Sequence, residues 1–292
     1  MSTVVLLLAT GLGLGALYFL VASGLSLIYG LMGVLNFAHG SFLTLAAFIG
    51  WEVARIVGAD TWLSLLAALG AGALAGAVVA AATEFLLIRR LYERHIEQVL
   101  VTVGLALATV ALFDGIWGTD PVFISGPSWL AQTTEILGAR IPNNRFLLIA
   151  VAVLVLLAIV LFLRYTRFGL IIRAGVENRS MVTALGIDVR RAFTVVFAIG
   201  GAAAGIGGVL ASHYFGYVSP QLGGSLLIFA FIVTVIGGLG SLAGAALASA
   251  LVAVLQQFAN FYLGGTGDLM VVLLLAVVLL VRPRGLLGRA AA

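Results

Sequence analysis

VVLLLATGLGLGALYFLVASGLSLIY, the run from Val4 to Tyr29, contains no charged side chain. A helix needs about 20 apolar residues to cross the hydrocarbon core of a bilayer, and this run supplies them. No basic segment precedes it, so it is expected to be a retained membrane span and not a secretory signal peptide. The composition of the whole chain agrees. Of 292 residues, 63% are apolar and 9% charged, whereas soluble chains carry about 25% charged residues. Lipid is therefore the solvent for most of the surface, and disordered and collagen-like chains are excluded. Further apolar stretches run from Gly40 to Trp51, Thr61 to Ile88, Val99 to Phe113, Phe146 to Leu163, Ala192 to Ala211, Leu226 to Ile236, Leu242 to Phe261 and Leu269 to Val281. At about 20 residues per crossing, the pattern predicts an all-α polytopic transmembrane helix bundle of eight or nine spans, a single transmembrane domain over residues 1–292.

The charges orient this bundle. All fifteen basic residues are arginines, and the net charge is +4. Arg89, Arg90 and Arg94 fill one short loop. Arg164, Arg167, Arg173, Arg179, Arg190 and Arg191 fill another, about 164–191, and Arg282, Arg284 and Arg289 close the chain. Cytoplasmic loops of membrane proteins collect arginine, so these regions, the C-terminus included, are expected on the cytoplasmic side. The loop 118–144, with Pro121, Pro127, Pro142 and the single Arg140, is expected outside. The basicity reads as topology, with no nucleic acid as partner. The first fifty residues hold no arginine or lysine, so the N-terminal side stays open: an external N-terminus gives nine crossings, a re-entrant segment eight. With no cysteine, disulfides, thiolate metal sites and cysteine nucleophiles are absent.

Glycine breaks the apolar runs twice, at Gly24–Gly40 and Gly237–Gly244. Paired interruptions in two halves point to the pathway of a transporter built from inverted repeats. The pairs Gly11/Gly15, Gly72/Gly76, Gly201/Gly205 and Gly240/Gly244 have the GxxxG spacing that lets membrane helices pack closely. Within the first break the chain is unusually polar, and an ionisable residue inside a membrane is by default a functional candidate. The candidate pathway residues are Tyr18, Asn36, His39 and Ser41. The competing reading is structural: hydroxyls bond their own helix backbone, and Asn36 and His39 stabilise the break. Glu52, Asp60, Glu84, Gln256, Gln257 and Asn260 read as interfacial groups that snorkel, as do His213 and Tyr214. Gly265-Thr266-Gly267-Asp268 matches an intramembrane protease pattern but lacks the second aspartate such chemistry needs, so Asp268 reads as an acid complementing a helix start. No catalytic or metal-binding motif emerges.

The arginine-rich loop holds ENRSMVTAL, Glu177 to Leu185, followed by Gly186. An acid in the first turn and a glycine past the end predict a short capped helix. Val182 and Leu185 mark its apolar side with Met181 and Ala184 beside them, a form suited to docking in a partner's groove.

Four blocks then carry a resemblance. GLSLIYGLMGVLNFAHGSFLTLAAF (Gly24 to Phe48) resembles the N-terminal block of permeases from branched-chain amino acid ABC importers. RAGVENRSMVTALGIDVRRAF (Arg173 to Phe193) is similar to their cytoplasmic coupling loop, VIGGLGSLAGAALA (Val235 to Ala248) to their late glycine-rich block, and VRPRGLLG (Val281 to Gly288) to their C-terminal end. Asn36 to Gly40 looks like the shorter of the two permeases in such systems. The resemblance implies a multi-pass permease of a bacterial inner membrane that is not itself an enzyme. Implied partners are a second homologous permease subunit, two cytoplasmic ABC ATPase subunits and an external, periplasmic substrate-binding protein. This chain would bind no cofactor, ATP being used by the ATPases. Glu177, Asn178, Val182, Ala184, Leu185 and Gly186 would form the coupling element, departing from the family's Glu-Ala-Ala pattern after the glutamate. Urea and short-chain amide permeases share much of this pattern, and a secondary transporter or channel working without ATPases is the rival from another class.

Overall fold

The computed structural model describes residues 2–58, 60–92, 94–177, 179–184, 186 and 188–288, with backbone alone at 176, 177, 179, 180 and 183. Two ends organise it. Helix α1 (Ser2–Met32) starts beside a β hairpin, β2 (Thr133–Ile136) with β3 (Ala139–Pro142), where Gly138 at the hairpin tip faces Ser2. It then runs to the opposite, arginine-rich end. A non-helical segment, 33–38, follows. Helix α2 (His39–Val57) returns to the hairpin end, α3 (Trp62–Leu86) with the 3-10 turn Ile88–Leu91 descends, and α4 (His95–Trp117) ascends.

The proline-bearing loop makes no span. It forms β1 (Val122–Phe123), a single turn α5 (Ser128–Ala131) and the hairpin. Helix α6 (Asn144–Tyr165) leads to two short helices, α7 (Arg167–Glu177) and α8 (Arg179–Ala184), at the arginine-rich end. Helix α9 (Val189–Phe215) climbs back, and β4 (Tyr217–Val218) pairs antiparallel with β1, Val122 opposite Val218. That pairing puts both loops at one end. Helices α10 (Leu222–Gly237), α11 (Leu242–Tyr262) and α12 (Gly267–Val281) complete the bundle. The C-terminal segment is tied to the end of α10 by backbone bonds from Leu286 N to Ile236 O and from Leu287 N to Gly237 O. Among the described residues, seven helices are long and apolar enough to cross a membrane, and α10 and α12 are shorter apolar helices. The bundle is all-α apart from the short strands at one end, as the apolar runs predict.

Side chains start the helices where the chain must turn. Thr61 Oγ1 accepts from Ser64 N at 3.1 Å and Ser241 Oγ from Gly244 N at 3.0 Å, each satisfying an amide the helix leaves unpaired. Two of the GxxxG pairs meet: Gly72 and Gly76 of α3 lie against Gly205 and Gly201 of α9, so close that a Cβ on Gly76 would stand 2.2 Å from the Gly201 carbonyl oxygen. Small residues alone permit this approach.

The breaks differ from expectation. Gly24 and Gly30 remain helical because they are packing points, Gly24 against Gly200 and His39, Gly30 against Gly240; only 33–38 unwinds. Gly237–Gly244 contains a tight turn at the arginine-rich end, so it does not interrupt a span at depth. The counterpart of the first break is 216–221 instead, because α2 and α10 both begin partway along α1 and meet where Gly40 packs against Gly223.

Candidate functional site

Helix α1 is the axis of the site. Past its midpoint, at Val21 and Gly24, α1 meets His39, which stands in the chain between two more of the four expected pathway residues, Asn36 and Ser41. Asn36 and His39 are fully buried. Asn36 Oδ1 accepts from Ala38 N at 3.1 Å, which closes the break on itself. His39 Nε2 donates to the Val21 carbonyl at 3.2 Å, assigning the proton to Nε2, while Nδ1 has no partner among the described residues. Ser41 shares a hydrogen bond with Thr109 of α4. None of the three lines either of the two clefts described next.

Tyr18 does. A cleft of about 460 Å³ opens at the hairpin end, lined by Tyr18, Tyr214, Ser225, Phe229, Gln256 and Asp268 among others. The Tyr18 hydroxyl donates to Gln256 Oε1 at 2.8 Å, and Gln256 Nε2 donates to Asp268 Oδ1 at 2.7 Å. The Tyr18 ring stacks on Phe229 with centroids 5.1 Å apart. Tyr18 and Gln256 are buried and Asp268 is exposed. The cleft thus joins aromatic walls to a hydrogen-bond chain ending in a carboxylate, a lining that suits a solute with an apolar body and a cationic head. Behind it, Arg145 at the start of α6 lies 3.4 Å over the Tyr214 ring, and its Nε and Nη1 are without hydrogen-bond partners among the described residues.

A second cleft of about 440 Å³ opens at the arginine-rich end between α1, α7 and the turn 238–241, lined by Ser26, Gly30, Arg173, Gly240 and Ser241 among others. Between the clefts, Leu20, Val21 and Ala22 are fully buried and line neither of them.

Glu84 departs most from its expected place. It is fully buried rather than interfacial, because four donors reach it: Arg89 Nε and Nη2, each at 3.3 Å, the Tyr92 hydroxyl, and Thr194 Oγ1 at 2.6 Å. A buried carboxylate is tolerated only when so satisfied. Burial, and then the bond to Glu84, push the Tyr92 phenol far above its usual range, so it remains a donor at any physiological pH. The cluster fastens the end of α3 to the start of α9, directly after α8. In α8 itself Val182 is 5% exposed and packs into the chain's own cluster with Ile172, Val189 and Phe193, while Met181 is 61% exposed and Ala184 is also exposed. The outward side of α8 is thus Met181 and Ala184, and Val182 anchors it. Gly186 has φ +77°, the left-handed turn expected past the helix end. Asn178 and Leu185 lie outside the described residues, as does the Glu177 side chain.

A family model described as the branched-chain amino acid transport system permease component matches residues 7–282. The chain belongs to that family. The permease is 30% identical over 293 residues to the high-affinity branched-chain amino acid transport system permease protein LivH of Salmonella typhimurium, covering 96% of this chain and 94% of that protein. It is also 30% identical to BraD of Pseudomonas aeruginosa, a permease protein of the same system type, over 292 residues, 97% of this chain and 95% of that one. The fructose import permease protein FruF of Bifidobacterium longum shares 29% identity over 260 residues, 86% of this chain and 69% of that one.

Three features of the permease escape its sequence. Gln256 looks like an interfacial amide because it stands near the end of an apolar run that closes at Phe261; the register that points it inward, toward Tyr18, depends on how α11 packs. Arg145 is hidden by its place at the edge of a loop. For Glu84 a signal existed: a carboxylate inside an apolar helix, five residues before an arginine.

Proposed function

We propose that this permease carries branched-chain or related amino acids across a bacterial inner membrane as half of the membrane portion of an ATP-driven importer. A second, homologous permease completes that portion, two ATPase subunits bind at the arginine-rich, cytoplasmic end, and an external binding protein delivers solute at the hairpin end. The chain binds no cofactor, and ATP is hydrolysed by the partner subunits. The observation that carries this reading is the pair of clefts reaching α1 from opposite ends, with the fully buried Leu20, Val21 and Ala22 between them. A transporter that alternates its access needs two such vestibules and a closed middle.

In this reading the outer vestibule takes the ammonium group toward Asp268 and Gln256 and the aliphatic side chain toward Tyr18 and Phe229. Asn36, His39 and Ser41 then act at the junction where the four helices α1, α2, α9 and α10 must slide past one another. Helix α8 transmits the ATPase movement through Met181 and Ala184, with Glu177, Asn178, Leu185 and Gly186 completing the coupling element. The test is copurification from native membranes followed by reconstitution with ATP and a panel of leucine, urea and fructose. ATP-dependent leucine uptake by a complex containing two ATPases and a second permease is expected, and His39→Ala should lower that uptake without disturbing assembly. Flux without ATP by this chain alone would replace the reading with a secondary transporter or channel. Uptake of urea or fructose in place of leucine would keep the importer and overturn its solute.

A further inference from the structure

Between the last arginine of α6 and the coupling element lies α7, one wall of the cleft at the arginine-rich end, whose outward face no transport step above uses. Its geometry begins at one residue. Thr166 ends α6, its amide bonding to Phe162 O at 3.1 Å, and starts α7, its Oγ1 accepting from Gly169 N at 3.0 Å. Gly169 then lies so near the end of α6 that a Cβ would stand 2.3 Å from the Leu163 carbonyl oxygen. The corner is therefore sharp, and α7 is folded back as a foot on α6. Inward, Ile172 is buried beside Leu31, Val34 and Val182. Outward, Tyr165, Phe168 and Leu170 are 72%, 41% and 61% exposed, and they continue the exposed apolar band that Leu157, Val160 and Leu161 present on α6. Among them stand the exposed arginines Arg164, Arg167 and Arg173, the last at the rim of the cleft that it also lines, and the one acidic residue of α7 is its final one, Glu177.

Exposed leucine and phenylalanine beside a water-facing arginine cluster are unfavourable in bulk water. At the boundary between acyl chains and headgroups both are satisfied, the apolar groups in lipid and the guanidiniums on phosphates. We propose that α7 lies in the plane of the membrane surface and binds anionic phospholipid headgroups through Arg164, Arg167 and Arg173, so that bilayer charge holds the segment leading into the coupling element. The occupant is lipid and not protein because the exposed apolar residues follow in the chain on those of α6, a helix long and apolar enough to cross a membrane, and the charges from Arg164 to Val176 are all positive. The inference rests on α6 being a membrane span, and it is independent of the solute.

The chain contains no cysteine, so Phe168→Cys and Leu170→Cys each give it one labelling site. Spin labels at these positions, in the complete complex reconstituted in phosphatidylcholine vesicles with phosphatidylglycerol, should collide more readily with oxygen than with a water-soluble nickel chelate. In parallel, phosphatidylglycerol retained by the purified complex is measured by mass spectrometry. Retention should fall roughly fivefold for each arginine replaced by glutamine and should be held by the three Arg→Lys variants. Readier collision with nickel would make α7 a solvated foot and overturn the proposal. Exclusion of both reagents would mean that a protein subunit covers it, and unchanged retention in the triple glutamine variant would mean that the lipid sits elsewhere. Each of these results stands whether the complex carries leucine or another solute, so failure here is separable from failure of the transport reading.

Discussion

Asp268 and Tyr18 stand at the two ends of one hydrogen-bond chain, and they should fail differently. Removing the hydroxyl by Tyr18→Phe leaves the Gln256 carbonyl oxygen buried without its donor, at a cost of about 1–3 kcal/mol. That loss belongs to the folded protein and should appear as a lower melting temperature of the complex. Asp268 is exposed and accepts one bond from Gln256, so Asp268→Asn should leave stability nearly unchanged. If the carboxylate receives a substrate ammonium group, the KM for uptake should rise about tenfold or more, the size of a lost charge-assisted hydrogen bond of about 1.5–3 kcal/mol. Melting curves and uptake kinetics on both variants check this. An unaltered KM for Asp268→Asn would remove the carboxylate from the solute's path.

At the scale of the helix, glycine position decides tolerance. Gly76 packs on Gly201, whereas a Cβ on Gly104 of α4 would meet nothing within 4 Å. Gly76→Leu should therefore force α3 off α9, costing at least about 1–3 kcal/mol, and abolish assembly; Gly104→Leu should be assembled normally, as size-exclusion chromatography in detergent would report. Much of this level was legible in the sequence. The spans follow from apolar runs bounded by arginine, and Gly72/Gly76 and Gly201/Gly205 were recognisable as packing pairs from spacing alone. Which pair faces which was not, because that depends on the order in which helices neighbour one another. The same limit hid the meeting of Gly40 with Gly223 and therefore the true partner of the first break. It also explains why Tyr18 could be singled out in the cleft at the hairpin end while Gln256 and Asp268 could not: Tyr18 is a polar residue inside an uncharged run, whereas its partners stand near helix ends, where polarity is ordinary.

Across the whole molecule, if ATPase movement enters at α8 as proposed, it must reach the clefts through whatever rigidly joins that helix to the bundle. Val182 supplies packing, but the Glu84 cluster supplies direction, since Arg89 and Thr194 lock α3 to the first turns of α9 on the same buried carboxylate. Deleting one partner of a buried ion pair costs about 3–5 kcal/mol, so Glu84→Ala would confound unfolding with uncoupling. Glu84→Gln keeps the volume and one accepting oxygen but turns an amide toward Arg89, loosening the joint while the helices stay packed through their glycines. In the reconstituted complex this variant should retain ATP hydrolysis and lose about tenfold in solute moved per ATP hydrolysed. Thr194→Val, which removes one donor to the carboxylate and one acceptor of Arg89, should lie between it and the native protein. The ratio of uptake to hydrolysis is the informative quantity, because a merely destabilised complex loses both together and leaves the ratio unchanged. A native ratio in Glu84→Gln would mean that α8 moves the bundle through Val182 and the apolar cluster, with the buried carboxylate serving only to hold α3 in place.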